Sequence, residues 1–258
     1  MKKKYLILFI SIVAGIAVSC KDPVVETGYE APLPPSEIKQ KNLITVEFYS
    51  RLNEMSLFED TEYQSVISHI TANTAPLAFM FDRSDAAPGQ TSPVVDIGWK
   101  TKTKSFFVQN GISDSYFQGT GIIVRPLVNA FDGVGIPDTL FMGGCTLSAP
   151  LGQPVVLTLM TCKLSNEYQF PSLARTLGDG LKTNKILIGT IKNELEAELK
   201  DYLKFHMKDF RLSFYTATQT DKSYKLFFLT PIVFVNREVT EMTIGSTPMY
   251  QCKIEYLY

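Results

Sequence analysis

Apolar and polar positions along the chain follow two periods, and each run of one period predicts an element. Residues 43–49 (Leu-Ile-Thr-Val-Glu-Phe-Tyr) predict a strand, and the spacing over 61–72 predicts a helix. Behind Pro76, residues 77–81 (Leu-Ala-Phe-Met-Phe) form an unbroken apolar run, as a strand covered on both faces should. A polar loop rich in Gly, Pro and Ser fills 83–93. Four strand-like stretches then follow at 94–99, 105–109, 121–125 and 139–146, separated by turn residues. Residues 154–164 are strongly strand-like, 171–181 helix-like, and 185–190 read as a short buried strand. The clearest helix starts at Glu194 with Asn193 placed to cap it: Leu195, Leu199, Tyr202, Leu203 and Phe210 recur near helical spacing, with Lys and Glu on the other face. Strands at 225–236, 238–243 and 249–256 close the chain.

The N-terminus has a different pattern. Met1-Lys2-Lys3-Lys4 is a positive start, and residues 6–17 are a solid apolar block of signal-peptide length. The block is short of the roughly 20 apolar residues that a membrane-spanning helix needs. It runs into Ala17-Val18-Ser19-Cys20, which resembles the lipobox of bacterial lipoproteins, with Ala17 standing where that family usually has Leu. The resemblance implies a signal peptide over 1–19 and a lipid on Cys20. Residues 20–41 then read as a tether, short on large apolar residues and carrying Pro23, Pro32, Pro34 and Pro35, which stiffen and extend such a stretch. A single domain is expected over 42–258.

Charge removes one function class. The chain carries a net charge of −1; without the three signal-peptide lysines the mature chain would carry −1 − 3 = −4. No Lys/Arg cluster stands out along it, so nucleic-acid binding through a basic face is not expected. With Cys20 acylated, Cys145, Cys162 and Cys252 remain, odd in number and without CxxC spacing. Each sits in an apolar stretch, as a buried thiol does.

The order of elements carries a family resemblance over roughly residues 43–257. Strand, helix, strand, a run of antiparallel strands, then strand, helix, strand, helix and closing strands is similar to the plan of the endonuclease/exonuclease/phosphatase family, whose fold is that of DNase I. The implied fold class is α/β (α+β), a four-layer αββα sandwich of two mixed β-sheets.

At the positions of that family's motifs the usual chemistry is missing. Tyr49 stands near the place of an Asn that helps to hold a divalent metal, and Met80-Phe81-Asp82 offers Asp82 in place of the metal-binding Glu. Cys162-Lys163-Leu164 puts Lys163 where a His would stand. Gly189-Thr190-Ile191-Lys192 replaces a Gly-Asp-Phe-Asn turn with Thr190 and Lys192. Gly245-Ser246-Thr247-Pro248 has Thr247 but no general-base His. The family's mechanism needs hard oxygen ligands for Mg²⁺ and a His–carboxylate pair to activate water. The two histidines, His69 and His206, both fall in predicted helices. The expectation is therefore a vestigial site at Tyr49, Asp82, Lys163, Thr190, Lys192 and Thr247, with no catalytic residue, no metal and no other cofactor. The lysines could attract an anion. The expected role is a lipid-anchored cell-envelope protein that binds or scaffolds, with the membrane and an unidentified protein or glycan as partners. A divergent metal-dependent phosphodiester hydrolase is the alternative, and a β-rich surface module with a different fold is a third reading.

Overall fold

The computed structural model describes residues 25–27, 43–50, 61–113, 116–125, 133–135, 141–150, 154–178, 184–216, 223–245 and 247–257. Among these, thirteen strands form two sheets. The first contains β1 (Val25–Thr27), β2 (Leu43–Tyr49), β3 (Ala78–Ala86), β4 (Lys104–Ser113) and β5 (Tyr116–Val124), together with β12 (Phe234–Ile244) and β13 (Thr247–Tyr256). Its order is β1-β4-β5-β3-β2-β13-β12. The second contains β6 (Gly133–Gly135), β7 (Phe141–Pro150), β8 (Pro154–Leu164), β9 (Asn184–Lys192), β10 (Phe210–Tyr215) and β11 (Tyr224–Pro231), in the order β10-β11-β9-β8-β7-β6.

Each sheet has one parallel pair, β2 with β3 and β8 with β9; the other pairings are antiparallel. A parallel pair needs a crossover, and a helix supplies it in both cases. Helix α1 (Thr61–Ala72) joins β2 to β3. After α2 (Pro93–Thr101), helix α3 (Phe170–Gly178) joins β8 to β9, and α4 (Glu196–His206) follows.

Side-chain alternation builds the four layers. Ile44, Val46 and Phe48 of β2, with Ala78 and Met80 of β3, meet Leu157, Leu159, Ile186, Ile188, Leu226 and Phe228 between the sheets. The intervening residues point outward: Tyr49, Phe79 and Phe81 pack on Tyr63, Val66 and Ile70 of α1, and Leu187 and Phe227 pack on Leu173, Leu199 and Leu203 of α3 and α4. Both faces of the central strands are thus covered, which is why residues 77–81 lack a polar alternation. Burial of each large apolar side chain contributes about 1.5–3 kcal/mol, so packing of this kind holds the helices to the sheets. The architecture is the expected four-layer αββα sandwich of two mixed sheets.

Several boundaries differ from the sequence expectation. Residues 94–99 are helical. Ser92 caps α2 by accepting a bond from the Val95 amide at 3.3 Å, Pro93 occupies the first turn, and Lys102 closes the end in the left-handed conformation. Val94, Val95 and Ile97 suggest a strand by their β-branching, but the Ser-Pro start and the burial of one helix face override that weak preference. The loop at 83–93 is shorter than expected because β3 continues to Ala86. Asn193 does not cap a long helix: it opens a 3₁₀ turn, Asn193–Leu195, and α4 ends at His206, leaving Phe210 to begin β10. The closing strand at 225–236 is two strands, β11 and β12. The stretch expected to be a tether, 20–41, contains β1, which lies antiparallel on β4 with Val25 opposite Val108. Residues 179–181 of the helix expected at 171–181, and Cys20 with the signal peptide expected over 1–19, lie outside the described residues. No helix among the described residues is long and apolar enough to cross a membrane.

Candidate functional site

The ends of the two parallel pairs meet where the apolar layer between the sheets gives way to polar side chains. Asp82 follows the last β2–β3 pair, Tyr49 with Phe81, and falls within a bulge that shifts the register between Phe81 and Ser84. Bulges re-aim side chains. Here Asp82 turns in toward the second sheet, while Ala86 joins the outward cluster with Val95 and Phe107. The Asp82 carboxylate is 2 % exposed, and its Oδ2 accepts a 2.9 Å hydrogen bond from Thr190 Oγ1 on β9. That bond links the two sheets. Burial, with the Asp82 carboxylate as the second cause, pushes the Cys162 thiol above its ordinary range.

Lys163 is the register partner of Thr190, and its ammonium lies 4.5 Å from the ring centroid of Tyr224. Ser165 Oγ is 3.4 Å from the Tyr224 hydroxyl. The structure thus brings three of the residues predicted from the sequence to one place: Asp82 and Thr190 are bonded, and Lys163 is beside Thr190. Lys192 lies further along β9 and pairs loosely with Glu194 at 3.6 Å on the surface.

Tyr49 and Thr247 belong to the opposite face of the first sheet. The Tyr49 ring stacks on Phe81 at 4.9 Å, its hydroxyl donates to Glu47 Oε2 at 3.0 Å, and it has no exposed surface. Burial first, and Glu47 second, push the Tyr49 phenol well above its ordinary pKa. Thr247 donates to a Glu62 carboxylate oxygen on α1. Both residues lie on the helix-facing side because β2 and β13 alternate strictly, and Val46, Phe48, Tyr250 and Cys252 take the side between the sheets.

A second polar cluster, which the sequence reading did not single out, surrounds Glu47. This carboxylate is fully buried; Oε2 also meets His69 Nε2 at 2.9 Å, and Oε1 accepts from Asn73 Nδ2 at 2.6 Å. The Arg125 guanidinium donates to the carbonyls of Ile70 and Asn73 and sits 5.0 Å from the Phe79 ring centroid. Burial lowers the Arg125 pKa, and the Glu47 carboxylate acts against that shift. The cluster satisfies the carbonyls at the end of α1 and ties that helix to β2 and β5. One signal was present in the sequence: in Leu43–Tyr49, Glu47 shares its face with Tyr49, beneath the helix that follows.

A hydrated Mg²⁺ requires several hard oxygen ligands in near-octahedral order. Between the strand ends, Asp82 is buried and engaged by Thr190, and the strand beside Thr190 carries a cation. No group of three or more His, Cys, Asp or Glu among the described residues could hold a metal ion. These residues do not fit the divalent ion that the resembled enzymes use.

No protein-family model matches the sequence, and no curated protein matches it. Solved structures do match the fold. An endonuclease/exonuclease/phosphatase family protein from Leptotrichia buccalis superposes with a TM-score of 0.61 at 10% identity, covering 82% of this chain and 100% of that one. TDP2 from D. rerio, in complex with a single-strand DNA product, gives 0.54 at 10% identity over 83% and 99%. The AP endonuclease LMAP from Leishmania major gives 0.51 at 10% identity over 94% and 98%. The chain therefore has the DNase I-like sandwich of these proteins; at such identity the likeness concerns the fold.

Proposed function

We propose that this protein is a lipid-anchored component of the bacterial cell envelope whose DNase I-like domain binds a partner rather than hydrolysing a phosphodiester. The observation that carries the second half is the state of Asp82. The one carboxylate at the expected metal position is withdrawn from solvent and engaged by Thr190, where the resembled enzymes have the Asp of a Gly-Asp-Phe-Asn turn. A fold hosts many functions, so the site decides. Among the described residues, the end between the sheets offers no ligand set for the metal and no His to deprotonate water.

The anchor rests on the sequence at Cys20. The structure adds a constraint to it. β1 begins at Val25, five steps along the chain from Cys20, and an extended chain spans at most about 3.3–3.6 Å per residue. A lipid on Cys20 would hold the β1–β4 edge of the first sheet within about 18 Å of the bilayer.

The test is hydrolysis of bis(p-nitrophenyl) phosphate by the purified full chain in Mg²⁺ and in Mn²⁺, with calorimetric titration of each metal. The expected result is no turnover above the protein-free blank and no saturable heat. Turnover that Asp82→Ala abolishes would establish the metal-dependent hydrolase instead.

A further inference from the structure

On the outer face of the first sheet, just past Asp82 along β3 and on the opposite face from its carboxylate, the structure contains a cavity of about 360 Å³, lined by Ala86, Gly89, Gln90, Thr91, Phe107, Gln109 and Phe117. We infer that this cavity is a binding site for a neutral sugar, one pyranose unit of a glycan. The inference gives the proposed binding role a ligand, and it rests on that role only in this sense.

The chemistry of the lining selects the ligand class. None of the seven described lining residues ionises, so these side chains offer no counter-charge to a phosphate, a carboxylate or an amine. Its polar groups are two carboxamides and one hydroxyl. Gln90 and Gln109 each present one acceptor and two donor hydrogens, and Thr91 adds a hydroxyl that can do either. Adjacent hydroxyls on a sugar ring require donors and acceptors mixed in this way. The half-buried Phe117 supplies the apolar wall against which the C–H face of a pyranose can lie, with the buried Phe107 ring beneath it. A few placed polar groups with an aromatic wall, in a volume within the usual range of about 300–1,000 Å³, describe a small-molecule site.

The cavity is also built into the fold. Ala86 pairs with Phe117 across β3 and β5, and Gln109 pairs with Gly119 across β4 and β5. A Cβ on Gly119 would lie 2.5 Å from the Phe107 ring, so glycine at this position leaves that ring its place beneath the cavity. The lip is a tight turn in which the Gln90 amide bonds to the Ala87 carbonyl at 3.0 Å. Pro88 and Gly89, at φ 76°, occupy its centre, as a type II turn requires. The turn runs directly into the Ser92 cap of α2, so Gln90 and Thr91 stand between two fixed points. A backbone held in this way loses little conformational entropy on binding. The cavity borders β4, the strand on which β1 lies, with Glu26 of β1 opposite Phe107.

The experiment uses the full chain in micelles of a detergent without sugar groups. Saturation-transfer NMR is recorded with methyl glucoside, methyl galactoside, methyl mannoside and N-acetylglucosamine, each at 5 mM, and with glucose 6-phosphate and glucuronate. At least one neutral sugar should receive saturation, and the charged sugars should receive less. Gln90→Ala, in the exposed lip, and Gln109→Ala should each weaken binding about tenfold or more. Phe117→Ala should abolish it, and Phe117→Tyr should restore it. If no neutral sugar binds, if a charged sugar is preferred, or if Gln90→Ala and Gln109→Ala both bind as the wild type does, the inference is overturned. Hydrolysis through Asp82 is read by a separate assay, so failure here and failure of the non-hydrolytic reading remain distinguishable.

Discussion

A carboxylate without exposed surface is costly unless every oxygen finds donors. Glu47 meets that condition with Tyr49, His69 and Asn73, while Arg125 closes the nearby carbonyls of α1. Glu47→Ala would leave the buried Tyr49 hydroxyl and the half-buried His69 and Asn73 facing a void, and should destabilise the domain by about 3–5 kcal/mol. Glu47→Gln, which keeps an acceptor for Asn73, should lose less. Urea unfolding followed by circular dichroism measures both, and equal losses would show that side-chain volume alone matters at this position. Asp82, the other buried carboxylate among the described residues, is tied instead to the opposite sheet through Thr190. Sequence alone placed Asp82, Thr190 and Lys163 at strand ends that the fold brings together. It could not turn Tyr49 and Thr247 to the other face. That depends on which neighbours each strand buries, and a shift of one residue inverts every side chain.

At the scale of elements, α2 carries the lesson. Its apolar residues, Val94, Val95 and Ile97, are β-branched and suggest a strand, yet a Ser cap, a Pro at the start and a sheet surface shaped to receive it make it a helix. The reception is specific. A Cβ on Gly121 would lie 2.4 Å from Val94 Cγ2, so this strand position is bare where the helix rests. Gly121→Ala should therefore cost about 1–3 kcal/mol through overpacking, and Gly121→Ala combined with Val94→Ala should recover part of that loss. Thermal melts of the two variants test it; a double variant no more stable than the single would mean that the strand backbone, not the contact, needs the glycine. β1 and β10 were not legible in the sequence for a related reason. Both are edge strands, and an edge strand is defined by the partner it finds more than by its own pattern.

For the whole molecule, the proposed anchor is what would set the sandwich at a membrane. If Cys20 carries the lipid, the wild-type chain expressed in a bacterial host should incorporate an alkynyl palmitate, and Cys20→Ala should incorporate none. Label retained by the variant, or absent from the wild type, would remove the anchor from the proposal. By itself the sequence determined the order of elements, because strand and helix periods survive without any knowledge of contacts, and that order carried the resemblance that implied the αββα plan. It also gave the grounds for proposing a lipobox-like start ahead of a folded body and a site without the resembled family's metal-binding and general-base residues, since these readings depend on residue identity. Only the tertiary structure decided that Asp82 meets Thr190 across the sheets, that Glu47 gathers a buried network under α1, and that two glutamines and two phenylalanines converge beside a tight turn. Those are meetings between residues far apart in the chain, fixed by strand register and bulges, and local pattern contains neither.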